Sequence, residues 1–147
     1  MKKENSITIE GVTIDLNTKP EELMATGKFR EYDGSFEKIL STNEWIEAFG
    51  TEFLGDFYFA PDHINIKLYP KLDIESPGYP DPDYEKASWE VCKTIIYNHF
   101  DNVVYKDNKV SSIFYDGKIS TTLIGESGRN PCSGGFISIA IRGEDNV

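Results

Sequence analysis

Residues 53–59 and 63–69 alternate between large apolar side chains and other residues, and this period of two limits the possible folds most strongly. One side of each segment is apolar: Phe53, Phe57 and Phe59 in the first, and Ile64, Ile66 and Leu68 in the second. Between them stands Ala60-Pro61-Asp62, a typical turn sequence. The pattern predicts a hairpin over residues 53–69, with one face of its two strands buried.

A second hairpin is predicted over residues 7–16. A two-residue turn at Glu10-Gly11 would set Ile9 opposite Val12 and collect the apolar side chains of both strands on one face. The other face of this hairpin would be polar.

The last third of the chain predicts a third hairpin, within residues 103–124. Asp116-Gly117 is a strong turn signal, and a turn there would pair Phe114 with Ile119, Ser112 with Thr121, and Val110 with Leu123. The apolar run at residues 136–141 then predicts a closing strand in the centre of the sheet.

Residues 82–100 show the 3.6-residue period of one main helix. Its apolar face would comprise Ala87, Trp89, Val91, Cys92, Ile95, Ile96 and Phe100. Asp81-Pro82-Asp83 supplies an acidic start, after a proline-rich stretch that excludes regular structure.

Two shorter segments carry helix signals. Thr18-Lys19-Pro20-Glu21 has the form of a capping box with a proline in the first turn, which predicts a helix over residues 18–26. Residues 42–49 follow possible capping residues and contain Trp45, Ile46 and Phe49, so a short helix is one prediction and a strand is its alternative.

These elements predict an α+β fold in a single domain of 147 residues. The antiparallel sheet would be covered on one face by the main helix and the short helices. Its other face would meet solvent or a partner.

The charge of the chain is −10, and it is unevenly distributed. Residues 39–66 and 72–85 contain five carboxylates each and no Lys or Arg, while the remaining residues balance to zero. Nucleic-acid binding is not expected, because phosphate contacts need clustered Lys and Arg side chains.

The same two segments hold many of the aromatic residues, and rings surrounded by carboxylates are typical of a surface that captures a basic protein. We therefore expect a non-catalytic binding module, in its sharpest form an inhibitor or immunity-type protein that masks a basic partner. The candidate binding residues are Glu44, Glu47, Glu52, Asp56, Asp73, Glu75, Tyr79, Asp81, Asp83 and Tyr84.

The alternative is a small enzyme or anion-binding protein that uses the glycine-rich loop 125–135. Its backbone N–H groups could converge on an anion, Arg129 could bind a carboxylate or phosphate, and Cys132 is a weak candidate nucleophile. No catalytic motif accompanies them, and His63 and His99 have ordinary interpretations as a turn residue and a helix cap. We expect no metal and no cofactor.

The N-terminal residues lack the apolar segment of a signal peptide, and no stretch is long and apolar enough for a membrane helix. The two cysteines, Cys92 and Cys132, do not make a disulfide framework. A cytoplasmic protein without membrane attachment is expected, and the oligomeric state is left open.

Overall fold

The computed structural model describes residues 6–32, 38–75, 78, 81–125 and 133–142. Within them the chain forms a mixed α+β fold of eleven antiparallel strands and one main helix, which confirms the expected class. The strands are β1 (Ile7–Ile9), β2 (Val12–Ile14), β3 (Phe29–Tyr32), β4 (Lys38–Thr42), β5 (Ile46–Ala48), β6 (Thr51–Ala60), β7 (His63–Pro70), β8 (Val104–Lys106), β9 (Lys109–Phe114), β10 (Gly117–Thr122) and β11 (Ile137–Arg142). The helices are α1 (Pro20–Met24) and α2 (Pro82–His99).

The strands follow the order β2-β1-β5-β6-β7-β11-β10-β9-β8. The long strand β6 pairs with β7 along one edge and with β5 and then β4 along the other, while β3 pairs only with β4. The closing strand β11 lies between β7 and β10, so both of its edges are hydrogen-bonded. This central position agrees with its apolar composition.

Helix α2 packs on one face of the sheet, against β7, β9 and β10. The Phe100 ring lies 5.8 Å from that of Phe49, which precedes β6, and 6.0 Å from that of Phe114 on β9. In a flat sheet β6 and β9 would be roughly 19 Å apart, four strand spacings. The sheet therefore curves around the C-terminal end of α2, and its inner face and the helix form one core.

Three elements differ from the sequence-based expectation or decide between its alternatives. Residues 42–49 contain the strand β5, which was the alternative to a short helix: Ile46 and Ala48 face the core with a period of two, and Glu47 is exposed between them. The helix expected over residues 18–26 comprises only the five residues Pro20–Met24 and begins after Lys19, whose backbone N–H donates to the Glu22 carboxylate. Strand β3 was not predicted.

The third hairpin has a different register from the predicted one. Phe114 pairs with Gly117, Ser112 with Ile119, and Val110 with Thr121, so the partners are shifted by two residues. Tyr115 and Asp116 form the turn instead. A shift of two preserves the face of every side chain, so the apolar pattern alone could not detect it.

Gly117 lies within β10, beside β11, and not in the turn. A Cβ atom at this position would lie 1.9 Å from the carbonyl oxygen of Ala140 on β11. The glycine is needed inside the sheet, where two strand backbones approach closely, rather than for a left-handed turn.

The outer face of the sheet is covered by no described helix or strand. Across it runs a row of paired residues that is mostly small and polar: Ser41, Asp56, Lys67, Ser138, Ser120 and Ser111. The Lys67 ammonium group lies 5.8 Å from the ring centroids of both Tyr58 and Phe136. The acidic and aromatic residues of β5 and β6 that point outward belong to this face.

Candidate protein-binding surface

Three of the ten candidate binding residues lie together at the start of β6. Glu47 on β5 stands directly opposite Glu52 on β6, and Glu44 precedes β5 by two residues. All three carboxylates are exposed. Trp45 lies between them in sequence and keeps 38% of its surface exposed. We call these four residues, together with Lys71, the Trp45 cluster.

Lys71 brings a cation to the Trp45 cluster. Its ammonium group lies 5.2 Å from the Trp45 ring centroid and 3.1 Å from a carboxylate oxygen of Glu52. The backbone N–H of Lys71 also donates to the carbonyl of Glu52 at 2.9 Å, which fixes the lysine beside β6. The cluster thus holds one ammonium group between an aromatic face and a carboxylate, an arrangement that favours cations.

A second ion pair borders the cluster. Glu10 lies 2.8 Å from Lys28 and accepts the backbone N–H of Glu47 at 2.6 Å. Partial burial raises the pKa of Glu10, but the bonds from Lys28 and from the Glu47 N–H outweigh it and lower the pKa below its usual value. The same hydrogen bond raises the pKa of Lys28, with smaller contributions from Glu44 and Glu52.

The remaining candidates do not join this cluster through any contact among the described residues. Asp56 accepts a 2.6 Å hydrogen bond from Ser41 on the outer face, and Asp73 and Glu75 are exposed after β7. Asp81 caps α2 by accepting the backbone N–H of Tyr84 at 3.0 Å. Asp83 is exposed in the first helical turn, where a negative charge is stabilising without any partner. Tyr79, Arg129 and Cys132 lie outside the described residues.

Sequence reasoning missed the residue that organises the base of the glycine-rich loop. Glu85 in the first turns of α2 is only 3% exposed. Its carboxylate accepts three backbone N–H groups: those of Ile124 at 2.8 Å, Gly125 at 2.7 Å and Gly134 at 2.8 Å. One buried side chain therefore ties together the two ends of the chain that flank residues 126–132.

The glycines at this base allow close approach to β10 and to α2. A Cβ atom on Gly134 would lie 2.1 Å from the carbonyl oxygen of Thr122, and one on Gly135 would lie 2.8 Å from that of Glu85. Gly135 also has a φ of +78°, and its carbonyl accepts a hydrogen bond from the Ser88 hydroxyl. The N–H groups of Ile124, Gly125 and Gly134 are thus already bonded to a carboxylate and are not open to an external anion.

A signal for Glu85 was present in the sequence. Positions 85, 89, 92 and 96 form one stripe of a helix, and the other three are Trp89, Cys92 and Ile96. An acidic residue on such an apolar stripe is unusual, and burial of a charge requires hydrogen-bond partners. The partners themselves lie 39 to 49 residues away and could not be found from spacing.

The titratable groups elsewhere form no further site among the described residues. Cys92 is a free, fully buried thiol, and burial raises its pKa to about 12, so it is not a nucleophile. His63 bonds to Asp62 at 2.7 Å at the turn before β7. No described group of His, Cys, Asp and Glu side chains could hold a metal ion.

A groove lies between α2 and the turn that joins β5 to β6. Its volume is about 430 Å³, and it is lined by Phe49, Thr51, Glu90, Val91, Thr94, Ile95, Asn98 and His99. Phe49 and Gly50 form the turn, with φ of +56° and +73°. Asn is the usual residue at the first of these positions, and a bulky side chain there costs roughly 1 kcal/mol or more. The ring of Phe49 lies 5.4 Å from that of His99.

No protein-family model, curated protein or solved structure matches this chain. Among the described residues, no helix combines the length and apolar character needed to cross a membrane.

Proposed function

We propose that the chain is a non-catalytic module that binds a basic protein through the Trp45 cluster. The observation that carries this proposal is the direct cross-strand opposition of Glu47 and Glu52. Like charges at such a position destabilise a sheet, and many uncharged residues would serve the strands better. A cationic partner would turn this internal repulsion into attraction.

The internal contacts of the cluster support a cation as its ligand. Among the described residues, two ammonium groups, those of Lys28 and Lys71, are recorded near the carboxylates of Glu10, Glu44 and Glu52. The exposed Trp45 offers the kind of aromatic anchor that dominates binding energy at interfaces. Lys71 occupies the place that a lysine or arginine of a partner would take, between the ring and Glu52.

The sharpest form of the proposal is an inhibitor or immunity-type protein that covers a cationic active site of its partner. An acidic surface of this kind accelerates association with a basic enzyme and discriminates against acidic proteins. The loop alternative, with Arg129 and Cys132, stays a prediction from the sequence.

The test compares three immobilised proteins: the wild type, the variant E44Q/E47Q/E52Q, and a control variant D62N/D101N/D107N. The control removes the same number of exposed carboxylates outside the cluster. Each is exposed to a native cell lysate at about 50 mM and about 500 mM salt, and retained proteins are identified and then purified for titration.

We expect basic proteins on the wild type and the control at low salt, and their loss on E44Q/E47Q/E52Q or at high salt. The purified partner should bind Lys71→Gln more tightly than the wild type, because the competing ammonium group is removed. Equal retention by all three proteins, or an affinity that salt does not change, would overturn the proposal.

A further inference from the structure

The groove beside the Phe49 turn is electrostatically suited to one kind of side chain. Glu90 carries the only fixed charge among the described residues that line it, and none of them is Lys or Arg. One oxygen of the Glu90 carboxylate lies 3.0 Å from Lys93, whose ammonium group also lies 4.3 Å from the Trp89 ring centroid. The Lys93 ammonium group therefore lies beside Trp89, whose ring also contacts Tyr105 on β8.

The position of the groove along α2 adds a second negative contribution. The lining residues of the helix run from Glu90 to His99, which is the last residue of α2. The carbonyl groups at this end carry the partial negative charge of the helix dipole. A cation is therefore favoured by both the carboxylate and the helix end.

The side chains that line the groove favour a planar cation. Phe49 and His99 present two rings at an interplanar angle of 58°, and Val91 and Ile95 supply apolar surface. A guanidinium group can stack on an aromatic face while it donates two hydrogen bonds to a carboxylate, which an ammonium group cannot do. Thr51 and Asn98 add a hydroxyl and an amide to the residues that line the groove.

We propose that this groove binds an arginine side chain, with the guanidinium group between the Phe49 ring and the Glu90 carboxylate. The inference rests on the proposed function, since the arginine would belong to the basic partner. Glu47 connects the two sites, because its carboxylate accepts the backbone N–H of Gly50 at 2.9 Å in the same turn that carries Phe49. A basic partner that reaches around the β5–β6 turn would contact both the Trp45 cluster on the outer face of the sheet and the groove beside α2.

The test uses small probes in place of the partner. The ¹⁵N-labelled protein is titrated with N-acetyl-arginine methylamide, with the neutral citrulline analogue, and with the lysine analogue, and amide shifts are followed by NMR. We expect the arginine probe to shift the amides of Phe49, Thr51, Asn98 and His99. Citrulline should bind at least about tenfold more weakly, and lysine about threefold more weakly.

Two variants and one control locate the binding. Glu90→Gln keeps the shape of an exposed side chain, and it should weaken the binding of the arginine probe about threefold or more. Phe49→Leu should weaken it as well, and its folding is checked by the dispersion of the same spectrum. Asp62→Asn, an exposed carboxylate outside the groove, should leave binding unchanged.

The outcomes separate this inference from the proposed function. Amide shifts confined to the Trp45 cluster would overturn the proposed arginine site in the groove, and they would leave the proposal of a basic partner unaffected. Equal binding of arginine and citrulline, or no effect of Glu90→Gln, would also overturn the groove. If the arginine probe binds in the groove but the variant E44Q/E47Q/E52Q still retains every lysate protein that the wild type retains, the proposed function is overturned instead.

Discussion

The carboxylate of Glu85 accepts the backbone N–H of Gly134 at 2.8 Å, although 49 residues separate the two in sequence. The same carboxylate accepts the N–H groups of Ile124 and Gly125, so it joins the exit of β10 to the approach to β11. Both ends of residues 126–132 are therefore attached to the first turns of α2. The attachment is a buried charge whose lone pairs are used by backbone donors, an arrangement that stabilises when complete and costs stability when broken.

Replacing Glu85 by Gln should lower the free energy of unfolding by about 2 kcal/mol. The amide keeps one acceptor oxygen, while its NH₂ group would face a backbone N–H that then has no acceptor. Urea denaturation of the variant and of Asp83→Asn measures the effect, because both changes remove one charge from the start of α2 and only Glu85 is buried. Equal losses of unfolding free energy in the two variants would show that the hydrogen bonds of the Glu85 carboxylate contribute little to stability.

Replacing Gly117 by Ala should destabilise the chain by roughly 2–3 kcal/mol, because the new Cβ would collide with the Ala140 carbonyl. Gly11→Ala is the matched control: its φ of +77° makes alanine strained by about 1 kcal/mol, but no atom lies within 4 Å of the added Cβ. Thermal or urea unfolding gives both values. If Gly117→Ala costs no more than Gly11→Ala, the close approach of Gly117 to the β11 backbone is wrong.

Cys92 should resist thiol reagents in the native state. Burial places its pKa at about 12, so almost no thiolate exists near neutral pH, and the side chain is inaccessible. The measurement uses the variant Cys132→Ser, which leaves one thiol, and follows its reaction with a chromogenic disulfide before and after denaturation. Rapid labelling of the native protein at pH 8 would contradict the buried position.

The same shift in pKa predicts a specific alkaline instability. The thiol pKa rises from 9.0 when exposed to about 12 in the fold, so the folded state holds its proton where the unfolded state has lost it. The contribution of the Cys92 thiol to the free energy of unfolding is fully present below pH 9, and it falls by about 1.4 kcal/mol per pH unit between pH 9 and pH 12.

The variant Cys92→Ala isolates this term from other groups that titrate in the same range. Its unfolding free energy should decline less steeply than that of the wild type above pH 9, with both proteins in the Cys132→Ser background. Parallel curves for the two proteins would show that the Cys92 thiol does not titrate differently in the folded and unfolded states.

Several elements of the fold followed from local pattern. The alternation over residues 53–69 corresponds to β6 and β7, and the 3.6-residue period corresponds to α2. The spacing of the apolar residues in these segments shows which face each side chain occupies, because the backbone geometry of a strand or helix sets the period. Residues 42–49 were ambiguous for the same reason, since three core-facing residues are too few to separate the two periods.

The candidate surface followed from the sequence only in part. The absence of Lys and Arg in residues 39–66 led to Glu44, Glu47 and Glu52, of which Glu47 and Glu52 face each other across β5 and β6 and Glu44 precedes the exposed Trp45. Sequence did not indicate that Lys71 pairs with Glu52, or that Lys28 pairs with Glu10 at the border of this cluster. It also did not indicate the groove, which needs the β5–β6 turn and the end of α2 to meet.

The sequence by itself determined the antiparallel α+β class, the position of the main helix and the uneven distribution of charge, because these depend on neighbours within one or two turns or strand repeats. The tertiary structure alone decided the register of β9 and β10 and the partners of Glu85. A shift of two residues leaves the apolar pattern unchanged, and the sequence alone does not show that Gly117 lies in β10, beside the Ala140 carbonyl of β11, instead of in the turn. The three N–H donors of Glu85 likewise converge only when β10, β11 and α2 are packed together.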